Sequence, residues 1–580
     1  MKPANSFVNP LLTDLYQITM AYAYWQSGHH EDQAAFDLFF RKNPFDGEFT
    51  IFAGLEEVLR FVNDFRFSED DIEYLRHGVI FRTEELQYNF EVELLHGVIR
   101  QTAHGYERND GHGDWLSVNY PDGEAYVEPL LPGCDPAFFD WLRQVDCSKI
   151  KIYAIREGTF VFPSLPLIRV EGPLAIAQLL ETTLLALVNY PCLVATNAAR
   201  FRIAAGANKT LLEFGLRRAQ GPDGGVSAAR YCYMGGFDAT SNVLAGRLFG
   251  VPVRGTHAHS FVSAFANLGD IKHRTTKGTD GREHDLAALT LAVRDQLKYN
   301  NTNDGELAAF ISYGQSFPQK FLALVDTYDT LKSGVPNFIC VAVALHQLGY
   351  QPLGIRLDSG DLAYLSKEAR KKFLEAGKIC QVDMHGLTIV ASNEINEQTL
   401  EALNQQGHEI NTFGIGTHLV TCQRQPALGG VYKLVEINGK HRIKLSQEKA
   451  KMTIPGRKEA YRLIGQSGYP LLDLMIIAGE EPPQIGKPSL CRHPFEAAKR
   501  AYATPSNVIP LHTCVWDGYF TEPLPSLSQI RQYVMEQLNS WRPDHLRPLN
   551  PTPYKVSVSD ALYNFLHDLW LEESPIDRLE

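Results

Sequence analysis

Leu353-Gly354-Ile355 runs into Arg356-Leu357-Asp358-Ser359-Gly360-Asp361, and a stretch of helical periodicity, Leu362–Ala376, follows at once. Leu387–Ala391 repeats the pattern. It is a short apolar, β-branched run that ends in Ser392-Asn393-Glu394 and gives way to a second helical stretch, Asn396–Gln406. Working outward, the same unit recurs. Thr210–Phe214 precedes Gly215-Leu216-Arg217-Arg218, and Val251–Val253 precedes Gly255-Thr256-His257-Ala258-His259. Phe321–Val325 precedes Asp326-Thr327-Tyr328-Asp329, and Thr412–Ile415 spans Gly414 and reaches Gly416-Thr417. Further helices are expected over Ala239–Leu248, Asp285–Lys298 and Asn337–Leu348, with Gly377 and Gly407 where C-terminal caps belong. Repeated strand–helix units imply an α/β protein with a parallel sheet. Polar residues at the C-terminal ends of many strands favour a closed β/α barrel, whose site is built there. An open doubly wound sheet is the alternative.

The chain divides around this middle. Its 580 residues and 65.0 kDa exceed what one compact core accommodates. We expect an N-terminal α+β part at 1–150, a barrel at 151–420, and a β-containing C-terminal part at 421–580 that packs with the N-terminal one. Within the first part, residues 77–133 are rich in Gly, His, Asp and Pro and read as an insertion of loops and short strands. His104 and His112 fall inside it and read as loop histidines rather than metal ligands. Past Thr417, residues Gly429–Val435, the Asn438-Gly439 pair and Arg442–Leu445 read as a hairpin, and Ser526–Leu538 as an amphipathic helix.

Composition narrows the function classes. Lys plus Arg number 55 against 67 for Asp plus Glu, a formal charge of −12, which suits neither nucleic acid nor an anionic membrane surface. Nine scattered cysteines without a C-x-x-C pair read as reduced thiols, and the N-terminus lacks the apolar core of a secretory signal. The longest apolar stretches are interrupted by Asn, Pro or His. A cytoplasmic protein is expected.

The strand ends carry the chemistry. Arg217, Arg218 and Arg356 suggest an anionic ligand, because a guanidinium fork binds carboxylate or phosphate bidentately, although structural ion pairs would also account for them. Gly414-x-Gly416-Thr417 could cradle a phosphate on backbone N–H groups or form an ordinary tight turn. Asp358 and Asp361 could hold ribose hydroxyls or Mg²⁺, or cap the helix at Leu362. His257 and His259, spaced i, i+2, would share a face on a strand. They read either as metal ligands or as one nucleophilic imidazole oriented by an Asp such as Asp326. Later strand ends offer Arg356, Asp358, Asn393 and Thr417, and such partners do not complete a typical zinc site.

Together these motifs resemble the nicotinate phosphoribosyltransferase family. The resemblance rests on Asn9–Gln17, Phe36–Gly54, Leu212–Gly225, Gly235–Asn242, Gly255–Phe261, Leu324–Asp329, Arg356–Asp361 and Gly414–Thr417, in the family's order across nearly the whole chain. Departures are the 77–133 stretch and His257, which stands at a position expected to be apolar. The resemblance implies an irregular β/α barrel of the type II phosphoribosyltransferase kind, with an additional α+β domain formed from N- and C-terminal segments. It implies that nicotinate and 5-phosphoribosyl 1-diphosphate give nicotinate mononucleotide and diphosphate, coupled to ATP hydrolysis through a phosphohistidine, with Mg²⁺, in NAD biosynthesis. His259 matches the phosphorylated histidine, and Asp326 would orient it. Tyr16, Phe214, Arg217, Ser241, Thr256 and Arg356 would bind nicotinate, Tyr16 stacking on the ring from the partner subunit of a homodimer. Asp358, Gly416 and Thr417 match the phosphoribosyl diphosphate side.

Two other activities compete. Nicotinamide phosphoribosyltransferase places an Asp where this chain has Ser241, and an acidic group would repel a carboxylate substrate; Asp238 is close enough in sequence to compete for that place. A metal-dependent barrel hydrolase would use His257 and His259 as ligands.

Overall fold

The computed structural model describes residues 3–77, 130–131, 133–445 and 452–574, and the backbone of five short strands between 80 and 126. Six strands form one parallel sheet: β1 (Thr210–Glu213), β2 (Ala239–Thr240), β3 (Leu322–Leu324), β4 (Gly354–Leu357), β5 (Thr388–Ala391) and β6 (Thr412–Ile415). Their spatial order is β2-β1-β6-β5-β4-β3. Consecutive strands are therefore neighbours from β3 to β6, and the last pairs with the first, Thr210 opposite Thr412. Beyond β2 the sheet extends by a single parallel bridge from Thr240 to Val253. Residues 251–253, expected as a strand, contribute only that bridge.

Most connections are helical, as parallel strands require. Helices Leu286–Leu297, Val335–Gln347 and Glu397–Gln406 lie within about two residues of their expected positions. Two expectations fail. Gly377 does not end its helix, which continues to Cys380 and is capped by Gln381 at φ +56°. A Cβ at Gly377 would meet the Val382 carbonyl oxygen at 2.6 Å, so this glycine serves close packing rather than a turn. The stretch Ala239–Leu248 splits, because Asn242 caps a shorter helix, Val243–Phe249, by accepting from the Ala245 N–H.

A second six-stranded sheet, antiparallel throughout, is assembled from distant segments. Its order is Lys440–His441, Gly430–Ile437, Gln33–Phe40, Ile168–Pro173, Lys151–Ile155 and His512–Asp517. The Asn438-Gly439 turn closes its first hairpin with both residues at positive φ. Residues 151–173 thus belong here, and the barrel boundary expected at 151 falls inside this sheet; the parallel strands begin only at Thr210. A third, mixed sheet contains Lys458–Ile464, Pro470–Ile477 and Val556–Ser559. Its buried charge is paired: both oxygens of Asp473 meet the Arg462 guanidinium at 2.8 Å, and Tyr554 donates to Asp473 at 3.0 Å.

Helices Leu174–Leu179 and Glu181–Ala205 form a stretch long and apolar enough to cross a membrane, yet 61% of its most apolar window is buried. It packs against helices Gly221–Met234 and Glu397–Gln406, as a core element does. Between 77 and 133 the backbone pairs Ile80–Arg82 with Glu124–Tyr126, and a three-stranded meander lies between them. His104 and His112 lie outside the described residues. The nine cysteines are unpaired.

Candidate active site

The C-terminal ends of the parallel strands gather most of the expected residues. His259 is the first residue of the short helix His259–Ser263. Its Nδ1 lies 3.1 Å from the Thr327 hydroxyl. Its Nε2 lies 3.8 Å from Asp326 Oδ1 and 3.7 Å from Asp358 Oδ2, close enough for ion pairing but too far for a hydrogen bond. The side chain of Asp326, expected to orient the imidazole, is 2% exposed. The hydrogen bond to the imidazole comes from Thr327 and not from Asp326.

The two carboxylates are themselves held. Asp326 Oδ2 accepts from the Ser359 hydroxyl and from the Asp358 N–H. That leaves Oδ1, the oxygen facing His259, buried without a hydrogen bond. Asp358 accepts from the Ser392 hydroxyl at 2.5 Å. Asp361, by contrast, caps helix Leu362–Cys380 by accepting from the Tyr364 N–H at 3.0 Å. Of the two carboxylates at this corner, one faces the site and one is structural.

Arg356, on β4, has a buried Nε with no hydrogen-bond partner. Burial holds its pKa below the ordinary arginine value, opposed by the charges of Asp358 and Asp326 and reinforced by that of Arg217. Arg217 and Arg218 are exposed on the turn Leu216–Arg218. Two guanidiniums near one another, one of them incompletely bonded, form a site for an anion. Thr256 Oγ1 is likewise buried and unpartnered.

Phe214 leaves the end of β1 with its ring across Gly414. A Cβ at Gly414 would approach that ring to 2.4 Å, so only glycine permits this placement. Gly416 precedes the short helix Thr417–Val420, and Thr417 is exposed at its start. Ser241 follows β2, its N–H bound to the Glu213 carbonyl at 2.9 Å. Asp238 is committed elsewhere: it accepts from Arg202 at 2.6 Å, Arg531 at 2.7 Å and the Leu211 N–H at 2.9 Å.

The histidine pair does not behave as two ligands on a strand. No strand forms between 254 and 258, and the His257 ring turns away to accept the Leu324 N–H on Nε2 at 3.3 Å. Among the described residues no group of three or more His, Cys, Asp or Glu gathers as a preformed metal site. Tyr16 stands apart from the strand ends. It is 46% exposed on helix Leu15–Gln26, beside Glu181 and Thr182.

Two buried carboxyls were not singled out from sequence. Glu213, in β1, accepts from the Thr240 hydroxyl at 2.5 Å and from the Gly215 N–H, and burial raises its pKa. Glu306 accepts from Ser333 at 2.5 Å and Asn337 at 3.0 Å. Burial pushes it up to about 7, opposed by those bonds and reinforced by Asp326 and Asp329. An acid within the otherwise apolar run Leu211-Leu212-Glu213-Phe214 was the available signal for the first. Glu306 had none.

Comparison with known proteins finds one family along the length of the chain. The nicotinate phosphoribosyltransferase N-terminal domain matches residues 11–104 and 117–189, the family model matches 343–467, and the C-terminal domain matches 457–566. Only 105–116 is skipped within the stretch 77–133 expected to be an insertion. Nicotinate phosphoribosyltransferase of Dictyostelium discoideum is 51% identical over 100% of this chain and 91% of its own length. The human enzyme of that name is 43% identical over 99% and 98%. A crystal structure of human nicotinic acid phosphoribosyltransferase superposes with a TM-score of 0.78 over 96% of this chain and 99% of that one, at 40% identity. A nicotinate-nucleotide pyrophosphorylase from Pyrococcus furiosus, 18% identical with a TM-score of 0.55, shares the fold. Matches of this extent, spread over the whole length, settle the lineage: the chain belongs to the nicotinate phosphoribosyltransferase family.

Proposed function

We propose that the protein joins nicotinate to 5-phosphoribosyl 1-diphosphate at the ends of its parallel strands, with ATP phosphorylating His259. The carrying observation is the convergence of the incompletely bonded Arg356 guanidinium with an imidazole flanked by two carboxylates. In the transfer, the pyridine nitrogen bonds to C1 of the ribose as the C1–O bond to diphosphate breaks. Nicotinate mononucleotide and diphosphate leave, feeding NAD synthesis.

Each residue takes a role consistent with its surroundings. Arg356, with Arg217, faces the nicotinate carboxylate; Phe214 supplies a ring face; Thr256 and Ser241 offer uncharged hydroxyls. With Asp238 tied to two arginines and Ser241 neutral, neither expected position places a carboxylate against the substrate, which favours the acid over the amide. Asp358, Gly416 and Thr417 take the ribose and phosphate side. When His259 Nδ1 donates to Thr327, Nε2 carries the lone pair. That nitrogen attacks the γ-phosphorus of ATP, the bond to the ADP oxygen breaks, and Nδ1 keeps its proton. The hard oxygens of Asp326 and Asp358 suit Mg²⁺. Bound there, it would offset phosphate charge that two carboxylates otherwise repel.

The cyclic strand order, with β6 beside β1, supports an irregular barrel rather than an open doubly wound sheet. The antiparallel sheet, drawn from both ends of the chain, supports an additional N- plus C-terminal domain. Two exposed apolar patches, one with Phe7, Leu12, Leu15 and Tyr16 and one with Leu216, Val243, Leu244 and Leu248, suit a homodimer. In it the first patch covers the partner's site mouth and Tyr16 acts in trans. Nine unpaired thiols fit a cytoplasmic location.

γ-Labelled ATP should leave acid-labile, base-stable phosphate on the protein, and His259→Ala should abolish both the label and ATP stimulation. Label that persists in His259→Ala would place the acceptor elsewhere. Equal use of nicotinamide by the unsubstituted protein would overturn the choice of the acid.

A further inference from the structure

Between Val253 and β3, no backbone pairing closes the row of parallel strands among the described residues. On one side, Arg254 donates its N–H to the Thr240 carbonyl, so the chain is tied to β2 up to that point. On the other, β3 pairs with β4 in parallel, Leu324 opposite Arg356. Val325 sends its N–H to the Arg356 carbonyl. Alternate amides of a strand face opposite sides, so the Leu324 N–H points into the seam. What meets it there is a side chain, His257 Nε2 at 3.3 Å.

We propose that His257 is a positioning residue. Its imidazole substitutes for a missing strand, joins segment 254–259 to β3, and so sets His259 against Asp326 and Thr327. The spacing makes one hydrogen bond sufficient. His257 lies two residues before His259, and Leu324 lies two before Asp326, so fixing the first pair fixes the register of the second. Because a backbone N–H only donates, Nε2 is the unprotonated nitrogen and the ring is neutral. Its surroundings favour that state. Tyr313 packs edge-on at 4.8 Å, with Phe261 at 5.4 Å and Phe310 at 6.2 Å. Burial lowers the pKa to about 4; the nearby Ala258 carbonyl opposes this, while Arg356 and His259 add to it. An apolar residue here would fill the space but leave the Leu324 N–H without an acceptor. The same bond removes His257 from any metal pair with His259.

The role rests on His259 being the phosphate acceptor, and the test separates the two claims. His257→Leu keeps the bulk and removes the acceptor; His257→Gln keeps an acceptor at similar reach. We expect His257→Leu to slow phosphate labelling of the protein at least tenfold, with the nicotinate KM within about twofold of the unsubstituted value. His257→Gln should recover most of the rate. Amide hydrogen exchange at Leu324 should quicken in His257→Leu and be protected again in His257→Gln. Unchanged Leu324 exchange in His257→Leu would overturn the proposal. So would a labelling rate equal to the unsubstituted chain, or a folded His257→Gln no faster than His257→Leu. Absence of label on the unsubstituted protein would overturn the phosphate-acceptor reading, and Leu324 exchange would then decide whether His257 closes the seam.

Discussion

The Asp473–Arg462 pair of the C-terminal mixed sheet and the mouth of the parallel sheet treat buried charge in opposite ways. In the mixed sheet, Asp473 and Arg462 saturate one another and Tyr554 adds a further bond. At the mouth, Arg356 Nε, Asp326 Oδ1 and Thr256 Oγ1 are all buried without partners. A folded chain leaves few such groups, because each costs about 1–3 kcal/mol of desolvation. These three lie in the proposed site, where a bound ligand would complete their bonding, whereas Arg492 Nε, in the mixed sheet, shows that a deficit alone does not mark a site.

That contrast is easiest to break by neutralising one carboxylate in each region. Asp473→Asn leaves Arg462 charged and buried, and should cost about 3–5 kcal/mol in urea unfolding. Asp326→Asn should cost far less stability and instead remove ATP-stimulated turnover. Equal losses of stability at both positions would erase the distinction.

Glu306 sharpens it from beneath the site. Its native pKa, about 7, exceeds the ordinary 4.5, so the native state favours the protonated form. The favourable contribution is complete below pH 4.5 and is lost as pH rises through 7. Above that the charged form is destabilising by up to about 3 kcal/mol. Glu306→Gln should therefore be more stable than the unsubstituted chain at pH 8, with the gap closing toward pH 5 in paired denaturant titrations. A gap independent of pH would refute the assignment.

Substrate charge gives the next effect. Arg356→Ala should weaken nicotinate binding by about 1.5–3 kcal/mol, the worth of a charge-assisted hydrogen bond. Ser241→Asp should act in the same direction by adding a like charge. Calorimetric titration of nicotinate checks both. The smallest effect belongs to Tyr16. Tyr16→Ala should raise the nicotinate KM by the equivalent of about 0.5–1.5 kcal/mol without unfolding the protein. Co-expressed Tyr16→Ala and His259→Ala chains carrying different tags should recover activity as mixed dimers. No recovery would confine each site to one chain.

The parts legible in sequence were those whose cause is local. Thr412–Ile415 is bounded as expected because Gly416 and the short helix Thr417–Val420 follow directly, and the helix at Leu527–Ser540 starts at the Ser526–Gln529 capping box. Asn242 carried an equally local signal, a cap, that the apolar run around it obscured. What the sequence could not disclose depends on contacts through space. Gly377 looks like a helix stop until Val382 is seen against it. The site divides in the same way. Asp326 and Asp358 follow strands and Arg356 lies within β4, close to where the sequence pattern put them, whereas His259 opens a short helix. Thr327, Ser359 and Ser392 also follow strands, but each bonds across to a residue of another segment, His259, Asp326 and Asp358 in turn, and sequence order does not disclose those pairings, nor the place of Glu306.

The antiparallel sheet also constrains how the chain is made. Gln33–Phe40 lies between Ile168–Pro173 and Gly430–Ile437. During synthesis this early strand gains one neighbour soon and waits for the other until most of the chain has left the ribosome. Until then it presents an apolar edge, open to pairing with other nascent chains. Long-range pairing of this kind slows folding. Yield in a cell should therefore depend on chaperone supply more steeply than native stability does. Chains truncated before residue 430 should aggregate although every strand-end residue of the proposed site is already present.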